Sequence, residues 1–258
     1  MRNLSFLTVV LFSVSAQAAI KSERIEYKAG NAVMEGYVAY DDASTAKRPG
    51  VVVVHDWMGL APIAEQRANE LAAQGYVAFA ADIYGKNVRP KDAQEASVLA
   101  GKYKADRKLL RERVRAAYDA LSKFRLTDTT RLAAIGFCFG GTTVLELARS
   151  GAPLKAVVTF HGGLGSPTPA DAKNITAKVL VLAGADDPYV PASDIVAFKK
   201  ELNDAKIDWQ FVEYSDTVHS FTIPLAGNDN SKGAAYNERS SKRAFAAMRD
   251  FFGETLGK

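Results

Sequence analysis

Leu132-Ala133-Ala134-Ile135-Gly136-Phe137-Cys138-Phe139-Gly140-Gly141 is an apolar run that ends in glycine, presents one reactive side chain, and continues into two more glycines. The pattern predicts a strand, a sharp turn and a helix. Gly136 and Gly140 keep side-chain bulk away from a turn whose central residue is strained, and Gly141 lets helix and strand approach closely. Such a turn lifts the Cys138 sulfur above the sheet edge. The helix that starts beyond it aims its free N–H groups at whatever forms there. This is the G-x-S-x-G nucleophile turn with cysteine in place of serine. A lone cysteine also serves as a small core hydrophobe, and the decapeptide by itself leaves both uses open.

Outward from the turn, the chain alternates strands and helices. Glu23 to Lys28 and Val33 to Tyr40 pattern as two strands around the turn Ala29-Gly30-Asn31. Val51-Val52-Val53-Val54-His55 is too short and too β-branched for a helix and reads as a strand buried on both faces. Pro62 to Gln74 is a helix stopped by Gly75, and Tyr76 to Ala81 is the next buried strand. Ala105 to Phe124 carries Leu110, Val114, Ala117, Leu121 and Phe124 on one helical stripe. The stretch from Arg131 to Cys138 enters the turn, and its helix runs to about Ser150. Lys155 to His161 and Lys178 to Ala183 are further buried strands, Pro191 to Ala205 a helix, and Asp208 to Tyr214 an alternating edge strand. A last helix carries Phe245, Met248, Phe251 and Phe252, and Gly227 to Gly233 is a polar loop. The expected fold is α/β: a mostly parallel, doubly wound sheet with an antiparallel N-terminal start.

The first 18 residues have a charged start at Arg2, an apolar stretch from Leu4 to Val14 and the small-residue signature Ala16-Gln17-Ala18. That is the pattern of a signal peptide cleaved after Ala18, so residues 19–258 are expected as a single domain in the periplasm or secreted. The 33 basic and 29 acidic residues give a net charge of +4, or +3 once Arg2 is removed. Basic residues such as Lys108, Arg111, Arg113 and Arg115 are spread along helices, which argues against nucleic-acid and membrane partners. One cysteine cannot form an internal disulfide.

In such a sheet, ligands bind beyond the carboxyl ends of the strands. Cys138 stands there. So do Asp186 and Asp187, in Gly184-Ala185-Asp186-Asp187-Pro188-Tyr189-Val190-Pro191, and His219, in Ser215-Asp216-Thr217-Val218-His219-Ser220-Phe221. Nucleophile, acid, histidine is the chain order of an α/β-hydrolase sheet, and His219 is the only histidine after Asp187. In this reading Cys138 attacks a carbonyl, His219 moves the proton, and Asp187 orients the imidazole, with Asp186 as its rival. A thiol needs such help because at a pKa near ~8.5 it is only slightly ionised at neutral pH. The loop His55-Asp56-Trp57-Met58-Gly59 follows the first buried strand and nominates Trp57 N–H, with Phe139 N–H, as oxyanion donors. His55 reads as a strand-end residue bonded to backbone, and His161 as a pocket-lining or structural histidine. Three histidines at separate strand ends lack metal-ligand spacing, so neither metal nor cofactor is expected.

With these residues in place, essentially the whole chain beyond the signal resembles the dienelactone hydrolase family of α/β-hydrolases. The marks are Gly136-Phe137-Cys138-Phe139-Gly140-Gly141, Asp187 before Pro188-Tyr189-Val190-Pro191, and His219-Ser220-Phe221. The resemblance implies a Cys138–Asp187–His219 triad with Trp57 and Phe139 as oxyanion donors. It also implies a carboxylate beside the thiol, here Asp56 where the family usually has glutamate. Two arginines that grip a lactone carboxylate in well-studied members fall at Lys86 and Ile223 here, which does not support an anionic dienelactone. The expectation is a hydrolase of small esters or lactones acting through a thioacyl intermediate, in a rather apolar pocket lined by Trp57, Tyr84 and Phe139. Asp56, Tyr84 and Lys86 are the candidate substrate contacts. The rival readings are a non-catalytic ligand-binding protein and a redox-reactive thiol.

Overall fold

The computed structural model describes residues 19–257; the proposed signal peptide lies outside the described residues. Eight strands form one sheet: β1 (Ile20–Ala29), β2 (Ala32–Asp41), β3 (Arg48–Val54), β4 (Val77–Ala81), β5 (Thr127–Phe137), β6 (Ala156–Phe160), β7 (Lys178–Gly184) and β8 (Trp209–Tyr214). Their order across the sheet is β1-β2-β4-β3-β5-β6-β7-β8. β1 pairs antiparallel with β2, and β2 antiparallel with β4, while every later pairing is parallel. This is the expected mixed sheet, with β8 at its edge.

Among the described residues six α-helices cover it: α1 (Pro62–Ala73), α2 (Ala93–Ala105), α3 (Arg107–Lys123), α4 (Phe139–Arg149), α5 (Ala192–Asp204) and α6 (Glu238–Leu256). Successive strand residues point to opposite faces, and the core divides accordingly. Val52, Val54, Ala134, Val157 and Val179 pack with Leu110, Val114, Leu145, Phe198 and Leu202 from α3, α4 and α5. Val51, Val53, Ile135, Val158 and Leu180 pack with Ala68, Leu71, Met248 and Phe252 from α1 and α6. A sheet covered on both faces explains why Val51 to Val54 are all apolar and all fully buried.

One helix was not legible in the pattern. Ala93–Ala105 is separate from α3, and Asp106 stands between them as the last cap of one and the first cap of the other, accepting from Leu109 N–H at 2.9 Å. The expected helix from Ala105 merged the end of α2 with α3. The parallel register that sets Phe137 opposite Phe160 places Cys138 and His161 side by side, one residue past their strands.

Candidate active site

β5 ends at Phe137 and α4 begins at Phe139, so Cys138 alone makes the turn. Its φ of 53° and ψ of −113° are a strained backbone for a residue with a side chain. The surrounding glycines are required by close approach. A Cβ on Gly136 would lie 2.0 Å from Gly140 O, and one on Gly140 would lie 2.3 Å from Val54 O. A Cβ on Gly141 would meet Thr159 Oγ1 at 2.3 Å and Gly162 Cα at 2.7 Å. The N-terminus of α4 is therefore clamped between β3 and β6. The Cys138 carbonyl accepts from Gly141 N–H at 3.0 Å and Thr142 N–H at 3.4 Å, which closes the first turn.

His219 follows β8 and is held by its backbone: its N–H donates to Gly233 O at 3.2 Å, and its carbonyl accepts from Ala235 N–H at 3.0 Å. The polar loop Gly227 to Gly233 is thus the brace of this histidine. His219 Nδ1–H donates to Asp187 Oδ2 at 2.8 Å, and Asp187 Oδ1 accepts from Tyr189 N–H at 2.8 Å. Between the two rival carboxylates the structure brings Asp187 to the imidazole. Asp186 is exposed, and its N–H donates to Thr217 O. The Tyr189 ring stands edge-on to His219 at 5.2 Å. Burial lowers the pKa of His219, but hydrogen bonds to Asp187 and the Cys138 thiol, with the charges of both, outweigh it and push the imidazole up to about 9. The three residues share one neighbourhood at the C-terminal rim of the sheet.

The backbone N–H groups of Trp57 and Phe139 have no acceptor among the described residues. The Trp57 carbonyl is fixed by Tyr84 Oη–H at 2.9 Å, and Met58 N–H donates to Asp56 Oδ1 at 2.8 Å. Asp56 is buried, which raises its pKa against the opposing pull of Met58 N–H and the His219 charge. The burial of Tyr84 pushes its phenol upward, helped by Asp56 and Cys138 nearby.

Two expected pocket contacts lie elsewhere. The Phe139 ring is fully buried, stacked on His55 at 5.8 Å and touching Tyr84 and Tyr103, so it supports the rim rather than lining a pocket. Lys86 pairs its ammonium with Glu26 and, at 3.5 Å, with Glu35 on the antiparallel strands. Its charge is occupied there. Ile223 is nearly buried.

The other two histidines are structural in geometry. His55 Nδ1–H donates to Asp56 O at 2.5 Å while Nε2 accepts from Ile83 N–H at 3.3 Å, and burial lowers its pKa to about 4. His161 bonds to the Cys138 backbone and to Thr222 Oγ1. Nothing in the sequence pattern marked Thr222, or Arg67, whose Nη2–H donates to Thr222 O at 3.0 Å. Among the described residues no group of three or more His, Cys, Asp or Glu side chains is arranged to hold a metal ion. Among them, too, no helix is long and apolar enough to cross a membrane.

Residues 34–256 match the model of the dienelactone hydrolase family. A solved structure described as a dienelactone hydrolase-like promiscuous phosphotriesterase, P91, from metagenomic libraries is 42% identical. It superposes with a TM-score of 0.88 over 92% of this chain and 99% of that one. A second, named "m3DLH", gives 42% identity and a TM-score of 0.89 over the same shares. A Yersinia pestis protein named "Putative carboxymethylenebutenolidase" is 29% identical over 230 residues, covering 85% of this chain and 83% of its own.

Proposed function

The chain belongs to the dienelactone hydrolase family, a hydrolase of lactone or ester substrates, and from that premise we propose that Cys138, His219 and Asp187 carry the reaction. The observation that supports this most is the 2.8 Å bond from His219 to Asp187 beside a cysteine held at φ 53°. With Nδ1 engaged by Asp187, Nε2 of His219 serves the thiol.

The steps follow from those positions. His219 takes the thiol proton, and the Cys138 sulfur attacks the carbonyl carbon. The resulting oxyanion accepts from Trp57 N–H and Phe139 N–H. Such donors are each worth about 10²–10³ in rate. Collapse expels the alcohol, which takes the proton from His219, and leaves a thioester on Cys138. Water then gives a proton to His219 and attacks the thioester, and the acid is released as the thiol is restored. Asp187 holds one tautomer throughout and stabilises the charged imidazole.

The substrate we infer is small and uncharged. Lys86 is paired with glutamates and Ile223 is apolar, so neither of the two positions that would grip a substrate carboxylate offers a free cation here. An uncharged phosphotriester is a second candidate, suggested by the name of the 42%-identical P91 structure. We further propose that residues 1–18 are an export signal and that 19–258 act as one domain in the periplasm or outside the cell. The test is hydrolysis of a short-chain nitrophenyl ester by wild type, Cys138→Ala and His219→Ala, with an aryl dialkyl phosphate as a parallel substrate. Loss of turnover in both variants supports the assignment. Equal rates in all three refute it. An inert wild type whose melting point rises with a ligand marks a binding protein, and stoichiometric loss of peroxide without ester cleavage marks a redox thiol.

A further inference from the structure

His161 is buried, carries a left-handed φ of 41°, and has no place in the steps above. A non-glycine residue in that region persists only where its surroundings over-determine it. Here they do so on three sides. Its Nδ1 lies 3.2 Å from the Cys138 backbone N–H, a hydrogen shared with Phe160 O at 3.0 Å. Its Nε2 lies 2.8 Å from Thr222 Oγ1. Its ring meets the His219 ring edge-on at 5.1 Å.

The chemistry of the first contact fixes the tautomer. A backbone N–H can only donate, so Nδ1 is the bare nitrogen and Nε2 carries the hydrogen that Thr222 Oγ1 accepts. Thr222 lies three residues beyond His219 on the same loop, and its carbonyl is anchored by the buried Arg67. One imidazole therefore spans from the peptide of the nucleophile to the segment that carries its base. Gly162 sits next to it because a Cβ there would strike Thr159 Oγ1 and Gly141 Cα. Burial and the charge of His219 keep His161 neutral, as the acceptor role at Nδ1 requires.

We propose that His161 is a positioning residue: a neutral strut between Cys138 N–H and Thr222 that sets the distance from the thiol to the His219 imidazole. It touches no reacting atom and acts through the two residues it joins. The proposal rests on the Cys138–His219 assignment and is tested so that the two can fail separately.

The discriminating variants are His161→Phe, which keeps a ring and removes both hydrogen bonds, and His161→Asn. Asparagine places an amide oxygen near the Nδ1 position and tolerates positive φ. A misplacement of the order of 1 Å at a reacting pair lowers turnover by about 10²-fold. His161→Phe should lose kcat on that scale with KM nearly unchanged, and His161→Asn, which keeps an acceptor for Cys138 N–H but does not reach Thr222, should recover part of it. Alkylation of Cys138 by iodoacetamide reads the same spacing without any ester. The pH profile of that alkylation should differ between wild type and His161→Phe, and His161→Asn should return it part of the way to wild type. If His161→Phe does not fold, Thr222→Val removes the acceptor from the other end and should shift the alkylation profile the same way. A folded His161→Phe with wild-type kcat and alkylation profile overturns the proposal, as does equal impairment in the Phe and Asn variants. Full ester turnover in Cys138→Ala would instead sink the parent assignment, leaving the strut to be judged on alkylation alone.

Discussion

Gly140→Ala perturbs the active site through one added methyl group, and its size can be worked from the backbone. The new Cβ would lie 2.3 Å from Val54 O, 2.5 Å from His55 O and 2.8 Å from Val54 C, all backbone atoms of the strand end beneath the turn. No side chain can rotate away to make room. Ordinary contact begins at 3.4 Å, so the first turn of α4 must retreat from β3 by about 1 Å. Overpacking of this kind costs about 1–3 kcal/mol, and a chain of this size loses roughly 2–4 °C of melting temperature per kcal/mol. The same retreat carries Cys138 and the Phe139 N–H away from His219 and Trp57, for which about a 10²-fold drop in kcat is expected. Gly101→Ala is the matched control. Gly101 lies inside α2 with no heavy atom within 4 Å of its new Cβ, so the helix should gain about 0.5–1 kcal/mol. Thermal melts and ester kinetics on both variants decide the matter. A Gly140→Ala protein with unchanged melting temperature and kcat, or a Gly101→Ala protein that melts lower, would refute the clamp as described.

Further outcomes concern the acid, the charge state and the lysine. Asp187→Asn removes the group that orients His219, and ester kcat should fall by about 10²–10⁴-fold while Asp186→Asn leaves it close to wild type. His219 is raised from 6.5 to about 9 in the fold, so it binds its proton more tightly folded than unfolded. Its stabilising contribution, about 3 kcal/mol, is fully present below pH 6.5 and is lost as pH rises through 9. The wild-type melting temperature should therefore fall over that window more steeply than that of His219→Gln, and parallel curves would contradict the sign. Because the Lys86 ammonium is engaged by Glu26 and Glu35, Lys86→Ala should change kcat/KM for a neutral ester by less than about twofold. A tenfold rise in KM would return Lys86 to the substrate site.

What the sequence displayed and what it hid follow from the range of the interactions involved. The turn at Cys138 was legible because its constraints are local: Gly136 and Gly140 lie within two residues of the strained position. The buried strands were legible because a sheet covered on both faces demands unbroken apolar runs. Helix α2 was not, because it buries little beyond Ala96, Ala100 and Tyr103 and has Gly101 in its interior. Asp186 and Asp187 occupy the same turn, so their roles were separable only once β7, β8 and the His219 loop were assembled. His161 was visible as a strand-end histidine, but its link to Thr222 joins residues 61 apart. The loop from Gly227 to Gly233 gave only polarity, while its last carbonyl, Gly233 O, accepts from His219 N–H.

The most direct measurement is the mass of the enzyme quenched during turnover of nitrophenyl acetate, followed by peptide mapping. One acetyl group on the peptide that contains Cys138, accumulating in wild type and missing from Cys138→Ala, is the predicted result. Steady ester hydrolysis by Cys138→Ala, or an acetyl group carried on another residue, would contradict a thioacyl enzyme built on Cys138.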